Sequence, residues 1–316
     1  MNQAVIFIFL DGFGLAEAGP SNPNLPHTMP FLESLLGRPL VKGQRIYKDL
    51  LLLEELDSCM GVPGLPQSAT GQTAIFTGIN AAKVLGYHCP AFPNVKLVDL
   101  IKKHNIYQAL RQRGASSVFA NAYSPLYFQL AKTKKRRHSV TTHCVLGAGL
   151  PFLTLEDLKL GQAVFWDITR EALALYPLNE HFEPIAASEA AQHLAFLARQ
   201  YNFTLFECFM PDLIGHKKEM RLAIAFLKKL DDFLKTLASE TSPTHSIILT
   251  SDHGNMEDLS HGTHTLNPVP LLVLGKAAPF FRGVESIDQI AGCLITLFNK
   301  KKGCFFEKSQ PLHFPC

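Results

Sequence analysis

Apolar runs that stop abruptly at charged or glycine-rich residues set the pattern of this chain. Ala4-Val5-Ile6-Phe7-Ile8-Phe9-Leu10 is unbroken and ends at Asp11-Gly12-Phe13-Gly14. A run of that length, closed by turn residues, predicts a strand buried on both faces. Residues 203–206 and 246–249 are apolar in the same way and predict two more buried strands, each leading into a polar, Gly-, Asn- or Pro-broken stretch. Elsewhere the period becomes helical. Residues 105–113 and 188–200 read as helices, and 114–121 as a turn into another strand. Ala223, Phe226, Leu227, Leu230, Phe233, Leu234 and Leu237 recur at helical spacing, which predicts an amphipathic helix over 217–237 lying on a sheet. Residues 289–297 read as a last helix, and Lys300-Lys301-Lys302 and the tail from Ser309 as peripheral.

This alternation predicts an α/β fold, a doubly wound, mostly parallel sheet flanked by helices. An inserted segment can begin only near Tyr123 and must end before the helix at 188. The division is therefore a core of residues 1–122 and 186–316 with a small cap over 123–185. There is no internal repeat and no low-complexity tract.

Four junctions carry chemistry. The richest is Thr250-Ser251-Asp252-His253-Gly254-Asn255, with His261-Gly262-Thr263-His264-Thr265-Leu266-Asn267-Pro268-Val269-Pro270 close behind. Metal-type ligands at the end of a strand suggest a site at the carboxyl edge of a sheet; the plainer reading is a capped strand and a wet loop. Asp11 delivers a carboxylate straight after the first strand, as a ligand or a turn aspartate. The glycines beside it do not make a dinucleotide fingerprint, because Glu17 stands where a third glycine is needed. Ser68, in Gly64-Leu65-Pro66-Gln67-Ser68-Ala69-Thr70-Gly71, enters a short helical run through Phe76. Free backbone N–H groups there favour an anion, and an N-capping serine and a nucleophile beside a phosphate share that location. In Glu207-Cys208-Phe209-Met210-Pro211-Asp212-Leu213-Ile214-Gly215-His216, Asp212 and His216 are expected to meet through a tight turn at Gly215. Carboxylate beside imidazole suits zinc or manganese.

Taken in order, Asp-Gly-x-Gly, Ser-x-x-Gly, Asp-x-x-x-His, Asp-His-Gly-Asn and His-Thr-x-Asn-Pro-Val-Pro resemble the alkaline phosphatase superfamily. The last two motifs are most similar to its cofactor-independent phosphoglycerate mutase and phosphopentomutase branch. The resemblance implies two divalent ions, manganese or zinc, the first held by Asp11, Asp252 and His253 with the Ser68 oxygen reaching it, the second by Asp212, His216 and His264. It makes Ser68 the nucleophile, with Thr70 as fallback and a substrate contact, and His261 a supporting or substrate contact. Chemistry agrees. A divalent cation can hold a serine as an alkoxide, and a paired site clamps both oxygens of an in-line phosphoryl transfer.

The mutases of this branch carry much larger inserted domains that hold the substrate while it turns round. The short insertion here favours hydrolysis of a small-molecule phosphate ester, with water resolving the phosphoserine. A phosphomutase is the alternative, and a non-catalytic metal-binding protein of the same fold is the third; sulfate or phosphonate esters suit the same site. Within the insertion, Lys132-Thr133-Lys134-Lys135-Arg136-Arg137-His138 reads as a solvated basic surface, with Arg136 and Arg137 as candidate contacts to a substrate oxyanion. Tyr123, Tyr127 and Phe128 either line a pocket or pack the cap, packing being the favoured reading.

Composition narrows the setting. A 47% apolar content over 316 residues supplies a sizeable core, and a net charge of +3 points to no nucleic acid. Seven scattered cysteines without a Cys-x-x-Cys spacing read as reduced thiols. The apolar start lacks a basic leading region and a cleavage pattern, and no run reaches membrane-spanning length, so a cytoplasmic protein is expected.

Overall fold

The computed structural model describes residues 4–178, 181–241 and 244–299. The Lys300-Lys301-Lys302 run, the tail, Cys304 and Cys316 lie outside them. Among the described residues nine strands follow in chain order: β1 (Ala4–Leu10), β2 (Ile46–Lys48), β3 (Leu51–Leu56), β4 (Ser117–Phe119), β5 (Ala122–Tyr123), β6 (Leu153–Thr154), β7 (Phe203–Cys208), β8 (His245–Ser251) and β9 (Val269–Leu274). Seven form one sheet in the order β2-β3-β9-β8-β1-β7-β4, while β5 and β6 pair separately. β4, β7, β1 and β8 are parallel neighbours, and β9 runs antiparallel to both β8 and β3. The result is a mixed, mostly parallel sheet flanked by helices.

β1 is central and every one of its residues is buried. Alternation divides its side chains between two apolar layers, as a strand of period two requires. Ile6, Ile8 and Leu10 join the helices Ala187–Ala198 and Met220–Glu240 on one face. Val5, Phe7 and Phe9 join Ser68–Thr77 and Ile290–Leu297 on the other.

Segment 123–185 is not uniform. The helix Val140–Ala148 buries Val140, Cys144, Val145 and Ala148 in the layer that holds Phe7 and Phe9. Leu158, Ala163, Phe165 and Leu173 make a small cluster of their own beside Ala122. Tyr123 and Phe128 stack with ring centroids 5.6 Å apart. Among the described residues no helix is long and apolar enough to cross a membrane, and Cys59, Cys89, Cys144, Cys208 and Cys293 are free thiols.

Candidate metal centre and its cavity

The carboxyl ends of β1, β7 and β8, adjacent in the sheet, carry Asp11, Asp212 and Asp252 to one place. Asp252 and His253 directly follow β8 and are fully buried, and Asp11 is 7% exposed. Asp212 and His216 lie on the helix Met210–Lys217, which differs from the expected turn. One helical turn sets residues four apart on the same face, leaving His216 Nε2 3.3 Å from Asp212 Oδ2. Gly215 serves close approach instead: a Cβ there would lie 2.3 Å from Asn255 Oδ1. Asn255 in turn donates to Asp212 Oδ1 at 2.7 Å. His264 reaches the same edge from the opposite direction, because it precedes the antiparallel β9.

Within this cluster His253 Nε2 stands 3.2 Å from Asp11 Oδ1 and 3.7 Å from Asp252 Oδ2. His264 Nε2 is 3.4 Å from Asp212 Oδ1. Two compact groups result: Asp11, Asp252 and His253, as expected, and Asp212, His253 and His264. His253 thus belongs to both, and its ring stacks on His264 with centroids 3.7 Å apart. His216, expected in the second group, stands beside it at Asp212.

Each histidine has its Nδ1 next to a backbone carbonyl: His216 at Gly262 O (2.9 Å), His264 at Pro66 O (2.8 Å) and His253 at Gly254 O (3.4 Å). An Nδ1–H donated there turns every Nε2 inward, the usual support of a metal-binding imidazole, whose Nε2 proton a bound cation would displace. Gln72 donates to both Asp11 and Asp252, at 3.3 and 3.2 Å, and holds the carboxylates apart.

The electrostatics call for positive charge. Burial, reinforced by Asp11, pushes the Asp252 carboxyl far above its ordinary range. At His253 burial acts downward, but Asp252, Asp11 and Asp212 outweigh it and hold the imidazole protonated well above its ordinary value. Protons here do what a cation would do. Asp11 Oδ1 is buried, with His253 Nε2 3.2 Å away. Three carboxylates and three inward imidazoles fit manganese or zinc.

Ser68 is the first residue of the helix Ser68–Thr77, whose N-cap is Gln67, and no side chain caps that end. The capping alternative therefore fails, and Ser68 Oγ instead lies 3.0 Å from His253 Nε2. Thr70 turns away: its hydroxyl donates to Gln67 O and accepts from Cys89 N. Neither Thr70 nor His261 lines the cavity described next; His261 faces Thr263 Oγ1 at 3.1 Å.

A cavity of about 900 Å³ opens over the cluster. Asp11, Ser68, Asp212, His216 and His264 form its floor, and Arg136 and Arg137 also line it. Both arginines are exposed, so the basic run is solvated surface and cavity edge at once. Tyr123 and Tyr127 line the cavity as well, the less favoured of the two roles the sequence left open.

Two carboxyl groups escaped the sequence reading. Glu257 is 5% exposed and accepts from Gly14 N, Asn255 N, Thr265 Oγ1 and Asn267 Nδ2, joining the three loops that carry Asp11, Asp252 with His253, and His264. Glu207 lines the cavity at the end of β7. Burial pushes its carboxyl well above the ordinary range against a 2.7 Å hydrogen bond from Thr141, and Asp11 and Asp252 add to the shift. An acidic residue inside an otherwise apolar strand was the signal available for Glu207.

A family model described as Metalloenzyme superfamily matches residues 182–302. Among curated proteins, the 2,3-bisphosphoglycerate-independent phosphoglycerate mutase of Coxiella burnetii (strain Dugway 5J108-111) is 28% identical over 184 residues, 55% of this chain and 33% of the relative. The match thus spans only a third of that enzyme. Among solved structures, the cold-active alkaline phosphatase of a Shewanella species superposes with a TM-score of 0.58 at 14% identity, covering 94% of this chain and all of the other. The PH0037 protein of Pyrococcus horikoshii gives 0.57 at 13% identity, covering 97% and 99%.

Proposed function

We propose that this chain is an alkaline phosphatase-like metalloenzyme that hydrolyses phosphate monoesters through a phosphoserine at Ser68. The observation that carries the reading is the position of the Ser68 hydroxyl. It is free of capping duty, 3.0 Å from His253 Nε2, and on the cavity floor with Asp11, Asp212, His216 and His264.

Asp11, Asp252 and His253 would hold one divalent ion, and Asp212 and His264, with His216 alongside, a second. Such a pair, when bound, keeps the serine deprotonated and neutralises charge on the phosphoryl oxygens. Ser68 Oγ forms the new bond to phosphorus as the ester oxygen leaves with its alcohol. Water then attacks the phosphoserine, releasing phosphate and restoring the hydroxyl. Free N–H groups in the first turn of Ser68–Thr77 face the serine end and suit a phosphoryl oxygen. Arg136 and Arg137, on the wall of the same cavity, suit a further oxyanion contact. The segment between β5 and the helix Ala187–Ala198, part of which completes the core, is too short for the large inserted domain of the mutases, and this supports hydrolysis over isomerisation. Phosphomutase activity is the second reading, favoured by the names of the curated relatives.

The test is product identity from a panel of phosphate esters, with manganese or zinc restored after chelation. Metal-dependent free phosphate is the expected result; isomerised ester without free phosphate would establish the mutase. Ser68→Ala should lower turnover by roughly 10³-fold or more with metal content unchanged. Retained turnover would remove Ser68 as the nucleophile.

A further inference from the structure

The cavity above Ser68 is far larger than a phosphoryl group needs, and its walls are aromatic. Phe92, Tyr123, Tyr127, Phe165, Trp166 and Phe209 all line it, and its volume of about 900 Å³ is that of a site for a drug-sized body. Most of the polar side chains among these walls bond within the protein, Glu207 Oε1 excepted. Tyr123 and Tyr127 place their hydroxyls 2.8 and 3.3 Å from Thr142 Oγ1, and Tyr127 also meets His138 Nδ1 at 3.0 Å. Asn121 exchanges two hydrogen bonds with the Glu207 backbone, at 2.7 and 2.9 Å. Ser124 accepts from Tyr127 N as the cap of Pro125–Lys132. Arg136 lays its guanidinium over the Tyr127 ring, 5.4 Å from the centroid, and Arg137 lies 5.1 Å from that of Phe92.

A sugar or glycerol body entering this space would lose water from each hydroxyl and find few free partners, an unfavourable exchange. An apolar body would lose nothing of the kind and would bury its surface against these aromatic rings. Resting on the phosphatase reading above, we infer that the alcohol released is bulky and apolar. The substrate is a phosphate monoester of a long aliphatic or aromatic alcohol, its phosphate at Ser68 and its body along the Tyr127–Trp166 wall. The guanidinium faces of Arg136 and Arg137 cover the aromatic edge where this body meets solvent.

Trp166 is the single tryptophan of the chain and stands on that wall, so its emission reports occupancy without turnover. The manganese-loaded full chain is titrated with methyl-, butyl-, octyl- and benzylphosphonate, following Trp166 emission and calorimetric heat. Affinity should rise about three- to fourfold per added methylene, with a blue shift of Trp166 for the longer ligands. Octyl- and benzylphosphonate separate an aliphatic from an aromatic preference. In parallel, kcat/KM for butyl and octyl phosphate should exceed that for glycerol phosphate.

Equal affinity for methyl- and octylphosphonate, with glycerol and octyl phosphates hydrolysed equally well, overturns the apolar-substrate inference and leaves hydrolysis standing. A chain-length trend in Trp166 emission with no phosphate released from any ester overturns the phosphatase reading and keeps the cavity's preference for an apolar ligand.

Discussion

A methyl group added at Gly71 would lie 2.8 Å from Asp252 Cβ and 2.9 Å from its carbonyl oxygen, so the helix that carries Ser68 rests directly on a candidate metal ligand. Gly71→Ala should cost about 1–3 kcal/mol of stability, the usual result of overpacking. It should also weaken metal binding, because Asp252 has no room to retreat. Urea midpoints and metal titration of the variant give both numbers, and an unchanged metal affinity would mean that the helix yields instead. The serine-to-glycine spacing was legible in the sequence, as were Asp11, Asp252 and His253, since each interrupts an apolar run that needed a reason to stop. Glu257 was not legible. Its role depends on donors from Gly14, Asn255, Thr265 and Asn267, which only the folded chain assembles.

At the scale of elements, strong periodicity located β1, β7, β8 and the helix Met220–Glu240 to within a few residues. The stretch around Asp212 read as a turn at Gly215, and Pro211 is no better a helix residue. Tertiary contact overrode them: Pro211 stands in the first turn, where its missing N–H costs nothing, and Gly215 admits Asn255. Val140–Ala148 was assigned to a cap, although its apolar side chains finish the core. That helix also carries a pH response. Burial first, then the charges of His138 and Lys102, lower His143 from its ordinary 6.5 to about 4. The unfolded chain therefore takes up this proton first. The contribution of His143 to stability is complete above pH 6.5 and is lost as the pH falls from there towards 4. His138 and His193 are shifted in the same direction, so the check is a difference of slopes. Over that window the denaturation midpoint of His143→Gln should fall less steeply than that of the parent.

The whole molecule gathers three acidic side chains from distant segments beneath one cavity, and this arrangement links stability to metal. Ions that bind only the folded cluster should raise the melting temperature progressively with concentration, by about 1.4 kcal/mol of stability for each tenfold excess over Kd. Thermal melts across a manganese and a zinc series, begun from chelated protein, measure the effect; a flat response would show that protons, not metal, neutralise the cluster. The central place of β1 has a further consequence, for biosynthesis. Its partners in the sheet, β7 and β8, are translated long after it, and Gly12 waits 240 residues for its hydrogen-bond partner Asp252. The seven residues of β1, all apolar, therefore leave the ribosome before either of these neighbours exists. Such late, non-local pairing slows folding and leaves a sticky strand edge waiting, so β1 is the segment that a holding chaperone would have to shield until the second half of the chain arrives.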